Sequence, residues 1–177
     1  GMKQTNIHFM LSKETYQKAF DVVNDIKSDP RLEKLNAIVF LAYKPKGKNI
    51  ENYTSVSVDD YKALISHCRQ KDVKFGFDSC SAPHFFKSIE GEENESDFVQ
   101  MGEPCESTLF STYINVEGRF YPCSFSEDTT GWRKGLNVLE CEDFIKDIWN
   151  HPRTQKFRDK LLMSSVGCDC KFAPACR

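Results

Sequence analysis

Hydrophobic residues in the first half of the chain alternate between continuous runs and periodic stretches. Ile7-His8-Phe9-Met10-Leu11 is an apolar run that predicts a buried strand, and Ser12 after it reads as a helix N-cap. Tyr16, Ala19, Phe20, Val23 and Ile26 then recur at helical spacing, predicting a helix over 13–28 that Asp29-Pro30 stops. The order repeats. Ala37-Ile38-Val39-Phe40-Leu41-Ala42-Tyr43 is an almost unbroken apolar strand, and beyond a polar loop Tyr61, Leu64, Ile65 and Cys68 mark one face of a helix starting near Asp59. A third strand is predicted over 73–77 and a short helix over 82–89.

Strands alternating with amphipathic helices, with the strands apolar throughout, predict βαβ units and a parallel sheet covered on both faces. The acidic stretch 90–97 reads as a solvated linker, and the pattern changes beyond it. Residues 111–116 and 119–125 flank Glu117-Gly118 and predict a β-hairpin. Phe144, Ile148, Trp149, Phe157 and Leu161 predict two short helices broken at His151-Pro152. The expected division is therefore an α/β segment over 2–89 and a small α+β, cysteine-rich domain over 90–177. Gly1 before Met2 reads as a scar of tag removal.

Composition narrows the function. With 177 residues, 40% of them hydrophobic and 12% aromatic, the chain has enough apolar mass for a packed core. A net charge of −2 and a pI near 6.1 provide no basic field for nucleic acid or an anionic membrane surface. No apolar run approaches the roughly 18 residues of a spanning helix, and no secretory signal pattern opens the chain. The expected compartment is the cytoplasm. There thiols stay reduced, so eight cysteines point to metal binding or catalysis ahead of disulfides.

Six of the eight lie in the second half: Cys105, Cys123, Cys141, Cys168, Cys170 and Cys176. Cys105, Gly118 and Cys123 form the pattern C-x12-G-x4-C across the predicted hairpin, in which the glycine makes the tight turn that lets two thiolates converge. The tail adds Cys168-Asp169-Cys170 and, after five residues, Cys176, among Gly167, Ala173 and Pro174. Irregular backbone of this kind wraps a soft metal centre and offers amides to its sulfurs, and four thiolates suit zinc as well as an iron–sulfur cluster.

The hairpin Ile114-Asn115-Val116-Glu117-Gly118-Arg119-Phe120-Tyr121-Pro122-Cys123-Ser124-Phe125 with its C-x12-G-x4-C pattern and cysteine-rich tail resembles the SPASM or twitch domain that ends many radical S-adenosylmethionine enzymes. The upstream strands and the step Phe77-Asp78-Ser79-Cys80 resemble the last part of the partial parallel β/α barrel of those enzymes, a half barrel here. The resemblance implies one auxiliary [4Fe–4S] cluster, as in the twitch form, held by Cys105, Cys123 and two of Cys168, Cys170 and Cys176, with zinc as the possible substitute. A full SPASM tail reads C-x2-C-x5-C-x3-C and serves two clusters. This tail has one residue between its first two cysteines and ends at Arg177. The motif C-x3-C-x2-C, which holds the AdoMet-cleaving cluster in the family, does not occur in the sequence. S-adenosylmethionine is therefore implied only if an N-terminal part completes the barrel.

On this resemblance the implied partners are a separate chain carrying the N-terminal half of the barrel, or a second copy paired through sheet edges, together with a peptide or protein substrate. Cys80 reads either as a further ligand or as packing, and Lys44-Pro45-Lys46-Gly47-Lys48 either as a border of the AdoMet pocket or as a solvated basic turn. Cys68 and Cys141 read as inert. His8, His67, His84 and His151 have no ligand-like spacing, and no P-loop, dinucleotide fingerprint or nucleophile elbow appears. Two other functions fit the pattern: a non-catalytic interaction module with zinc or no metal, and a truncated frame with no function of its own.

Overall fold

The computed structural model describes residues 4–44, 52–93, 95–98, 101–102 and 105–166. The chain forms two compact units, residues 1–104 and 105–177. In the first, β1 (Asn6–Leu11), β2 (Ala37–Ala42) and β3 (Phe75–Phe77) make a parallel sheet in the order β1-β2-β3. Helices α1 (Tyr16–Ser28) and α2 (Val58–Gln70) connect them, and α3 (Ala82–Ile89) and the single turn α4 (Glu95–Phe98) follow.

Local chemistry sets the helix starts. Ser57 accepts from the Asp60 amide at 3.2 Å and the Asp60 carboxylate accepts from the Ser57 amide at 2.7 Å, a capping box that starts α2. Ser12, expected as an N-cap, instead closes a turn with Thr15: each side-chain oxygen accepts from the other residue's amide, at 2.9 and 3.2 Å. The turn uses up residues 12–15, so α1 begins only at Tyr16.

Register places Ile38 beside Ile7 and Phe75, and Phe40 beside Phe9 and Phe77, on one face of the sheet. That face meets Ala19 and Val23 of α1 and Tyr61, Leu64, Ile65 and Cys68 of α2, all buried. Phe9, Phe40, Phe77 and Phe85 form a continuous ladder of ring contacts, with centroids 6.2, 5.6 and 4.7 Å apart. Each such side chain contributes roughly 1.5–3 kcal/mol by leaving water.

The opposite face departs from expectation. His8 and Met10 are exposed there, and Val39 and Leu41 are only half-buried. The two crossovers run in one direction along the sheet, and connections of one hand then put both helices on one side. α1 packs beside α2 and α2 beside α3, so the sheet is covered on a single face.

The stretch read as a linker carries α4 and joins the first unit. Phe98 is buried beneath the Arg69 guanidinium, 5.0 Å from its ring centroid, and Gly102 bridges to Phe77 along the outer edge of β3. A Cβ at Gly102 would lie 2.8 Å from the Phe86 ring, so only glycine admits this approach.

The second unit is built from shorter pieces: β4 (Tyr113–Ile114), β5 (Arg119–Tyr121) and β6 (Leu136–Asn137) in an antiparallel sheet, then α5 (Pro152–Val166). The β4–β5 hairpin turns at Gly118, whose φ of +70° is the left-handed conformation the turn needs. Phe120, Tyr121, Trp132 and Ile148 form its buried core. The first predicted helix, Phe144–Trp149, is π-helical, with the Asn150 amide donating to the Ile145 carbonyl at 2.8 Å.

Candidate metal centre

Cys123 sits just past β5, at the open end of the hairpin opposite the Gly118 turn, and Cys105 opens the loop that leads into β4. Cys123 follows the end of β5 by two residues. Its amide donates to the Ser126 hydroxyl at 3.1 Å, and that hydroxyl donates back to the Cys123 carbonyl at 2.6 Å. The backbone is thus pinned while the half-buried thiol is in no disulfide.

Cys105 opens a tight loop, 105–111, that returns to the same end. The Glu106 carbonyl accepts from the amides of Leu109, Phe110 and Ser111 at 2.9, 3.0 and 3.2 Å, and the Thr108 amide donates to the Ser111 carbonyl at 2.8 Å. The Thr112 hydroxyl then donates to the Tyr121 carbonyl at 2.8 Å, tying the loop exit to the end of β5. The Cys105 thiol, half-buried and in no disulfide, donates to the Ser107 hydroxyl at 3.4 Å.

Two arginines fix α5 against this end. Arg153, near its start, donates to the carbonyls of Gly135, at 3.2 Å, and Gly131, and lies 4.6 Å over the Trp132 ring. Arg158 donates to the Thr108 carbonyl at 2.7 Å and to the Trp149 carbonyl at 3.1 Å. The helix therefore runs from the β5–β6 level toward the Cys105 loop, and it ends at Val166, two residues before Cys168. Cys168, Cys170 and Cys176 lie outside the described residues. Among the described residues no three histidine, cysteine or carboxylate side chains assemble into a metal site.

The remaining cysteines separate by environment. Cys68 is buried in the core, and burial pushes its thiol up to about 12. The Cys141 thiol donates to the Val138 carbonyl at 3.1 Å. Cys80 is exposed and belongs to the first unit.

Close to Cys80, at the C-terminal ends of β2 and β3, lies a second polar cluster. Asp78 pairs with Lys44 at 2.6 Å and accepts from the amides of Ala42 and Ser81, each at 3.1 Å, and from the Ser81 hydroxyl. Burial would raise its carboxyl, but the hydrogen bonds from Lys44, Ser81 and Ala42 outweigh that, and its pKa is lowered. Burial likewise opposes the Lys44 charge, which Asp78 restores and raises. Residues 45–48 of the basic loop lie outside the described residues. In the sequence Asp78 has only the weak signal of a lone carboxylate at a strand end, one turn before a helix.

Residues 105–177 match the family model of SPASM, an iron-sulfur cluster-binding domain. The second unit is a SPASM-type domain. No curated protein and no solved structure matches the chain. The match supports iron–sulfur binding by the SPASM unit, and the donor chemistry fits it: two soft, half-buried thiols in no disulfide, each beside a serine hydroxyl. Thr108, in the middle of the Cys105 loop, was invisible to sequence reasoning, since no local pattern distinguishes it. It is fully buried, and its hydroxyl has no partner.

Proposed function

We propose that this chain is the C-terminal portion of a radical S-adenosylmethionine enzyme that modifies a peptide or protein, with one auxiliary [4Fe–4S] cluster in its SPASM unit. Cys105, Cys123 and two of Cys168, Cys170 and Cys176 hold the cluster. The observation that supports the reading is the match of residues 105–177, which begins at Cys105 and includes Cys123, to an iron-sulfur cluster-binding domain. The parallel sheet with all its helices on one face agrees with a barrel segment, whose other face would line a lumen. Bound, the cluster supplies electron transfer or a substrate anchor. The thiolates hold it, and the reduced state they need agrees with a cytoplasmic location.

AdoMet activation is left to another polypeptide segment or chain that carries C-x3-C-x2-C and adds strands to the sheet. The outer edge of β3 is bridged by Gly102, whereas β1 has no strand on its outer side among the described residues. The β1 edge is then the place where the rest of the barrel, or a second copy, pairs.

Anaerobic reconstitution with iron and sulfide tests the reading. The expected product contains about four iron and four sulfide per chain and shows the charge-transfer absorption of a [4Fe–4S] centre. Stoichiometric zinc that iron does not displace would favour the interaction module instead. The reconstituted chain alone should form no 5′-deoxyadenosine from AdoMet under reducing conditions. Light scattering that shows dimers would favour pairing between copies over a separate N-terminal partner.

A further inference from the structure

Tyr113 pairs with Tyr121 and Ile114 with Phe120, so alternation along the hairpin puts Asn115, Arg119 and Tyr121 on one face. That face lines a pocket of about 500 Å³, within the size range of small-molecule sites. Tyr121 is only 3% exposed, and its hydroxyl makes no hydrogen bond among the described residues. The hydroxyl is nevertheless not sealed in, since Thr108 holds the one described side-chain oxygen or nitrogen that is both closed off and unpaired. It therefore opens onto the pocket. Gly135, at a φ of +55°, leaves room for the phenol: a Cβ there would lie 2.9 Å from Tyr121 Cζ, the carbon that carries the hydroxyl. Burial and then the carboxylates of Glu127, Asp128 and Glu117 raise the pKa of Tyr121, with Arg119 opposing, so the group keeps its proton and can both donate and accept.

The walls carry unspent charge of both signs. Arg119, Arg133 and Lys134 line the pocket, and so do Glu117 and Asp128; none of these five side chains has an ion pair or hydrogen bond among the described residues. Glu127 is held in place instead, accepting from Asn115 Nδ2 at 2.8 Å, while Asn115 Oδ1 accepts from the amides of Glu117 and Arg119 at 3.0 and 2.9 Å. Single exposed charges left in water are ordinary. Both signs arranged around a buried phenol with an open hydroxyl are complementary to a guest that itself carries both. We infer that this pocket binds a zwitterionic group, one cationic nitrogen and one carboxylate, with the Tyr121 hydroxyl hydrogen-bonded to it. The nitrogen pairs with Glu117 and Asp128, and the carboxylate with Arg133 and Lys134. Such a group comes either from a free amino acid or from adjacent basic and acidic side chains of a polypeptide. The pocket lies toward the Gly118 turn, away from Cys123, and the inference does not rest on the iron–sulfur reading.

The test is a titration of the full chain followed by amide NMR shifts, with four probes: free alanine, the end-blocked dipeptide Lys-Glu, acetate and methylammonium. At least one of the two zwitterions should shift the Asn115, Glu117 and Tyr121 signals saturably, with a Kd at least about tenfold below those of the singly charged probes. Saturation by alanine assigns a small-molecule source, and saturation by the blocked dipeptide alone a polypeptide one. Tyr121→Phe should weaken the zwitterion about tenfold through the loss of one hydrogen bond, and should unfold at the wild-type temperature, because the hydroxyl has no partner within the protein. Asp128→Asn removes a charge with a residue that tolerates the left-handed φ of +61° there, and Arg133→Gln changes an exposed side chain; each should weaken binding by about threefold or more. These two surface variants decide the matter if Tyr121→Phe does not fold. No saturable shift with either zwitterion, affinities no better than those of acetate and methylammonium, or variants that bind as wild type does would overturn the inference. Failure of the chain to take up iron would leave it standing.

Discussion

The two units handle their polar and sulfur atoms in opposite ways. In the first, strands of up to six residues and helices of up to thirteen enclose a large aromatic core, and the polar groups that approach it are consumed internally. Asp78 accepts from four donors, Ser57 and Asp60 cap each other, and the Cys68 thiol is shut in the core. In the second, strands of two or three residues surround four buried hydrophobic residues, and the chain is braced by arginines reaching backbone carbonyls. Three described thiols there, Cys105, Cys123 and Cys141, are in no disulfide, and a buried hydroxyl stays unpaired. A small core with idle donors is the condition in which a metal centre contributes folding energy directly. The first unit is stabilised by what it buries, and on the proposed iron–sulfur reading the second gains stability from what it binds.

The largest effect that would break this contrast is at the thiols. Cys105→Ser or Cys123→Ser should reduce iron and sulfide after reconstitution to background and deprive the SPASM unit of metal-dependent stability, whereas Cys141→Ser should retain the full complement. Iron analysis with thermal unfolding before and after chelation measures both. Phe40→Ala should cost about 3–5 kcal/mol, since it opens a cavity in the ring ladder, and should leave the iron content per folded chain unchanged. A loss of iron in that variant would mean the units are not energetically separate.

A smaller effect sharpens the account of the first unit. Asp78→Asn should cost about 2–3 kcal/mol at neutral pH by leaving Lys44 partly buried without its counter-charge. The Asp78 carboxyl is held below its usual value, so its contribution is complete at neutral pH and disappears as pH falls through that lowered value. Lys44, raised by the same pair, keeps its contribution until pH climbs past the lysine range. Midpoints of thermal unfolding against pH should therefore drop in acid for the wild type and be flatter there for Asp78→Asn. Smallest is Gly118→Ala, about 1–2 kcal/mol from the left-handed backbone, with a Cβ placed 2.5 Å from Leu139 Cγ. Denaturant titration of the second unit reads it, with Gly131→Ala as the control in open space, where only the backbone strain applies.

Much of the first unit was legible in the sequence because its apolar periods are long. The runs around Phe9 and Phe40, and the face of Tyr61, Leu64, Ile65 and Cys68, leave little choice of element. What stayed hidden was the open face. Val39 and Leu41 read the same whether a helix or nothing covers them, and only the common direction of the crossovers decides it. In the second unit Glu117-Gly118 announced the hairpin, but β6 is two residues long and has no period to detect. The spacing of Phe144, Ile148 and Trp149 reads as α-helical, and the π-turn closed by Asn150 is a one-residue difference below that resolution. For the site, C-x12-G-x4-C pointed to Cys105 and Cys123, while Thr108 and Asp78 owe their interest to partners gained or missing in space.

The arginines of α5 have one more consequence. The chain contains two tryptophans, Trp132 and Trp149, and each lies under a guanidinium of that helix, at 4.6 and 5.0 Å. Indole emission thus comes entirely from the second unit, and from the two places where α5 is anchored. Excitation at the red edge of the absorption band gives an optical window on that half alone, blind to the parallel sheet. Far-ultraviolet dichroism sees both halves. Where the two signals part during a melt, the molecule has passed through a state with one half folded, and the emission says which half it was.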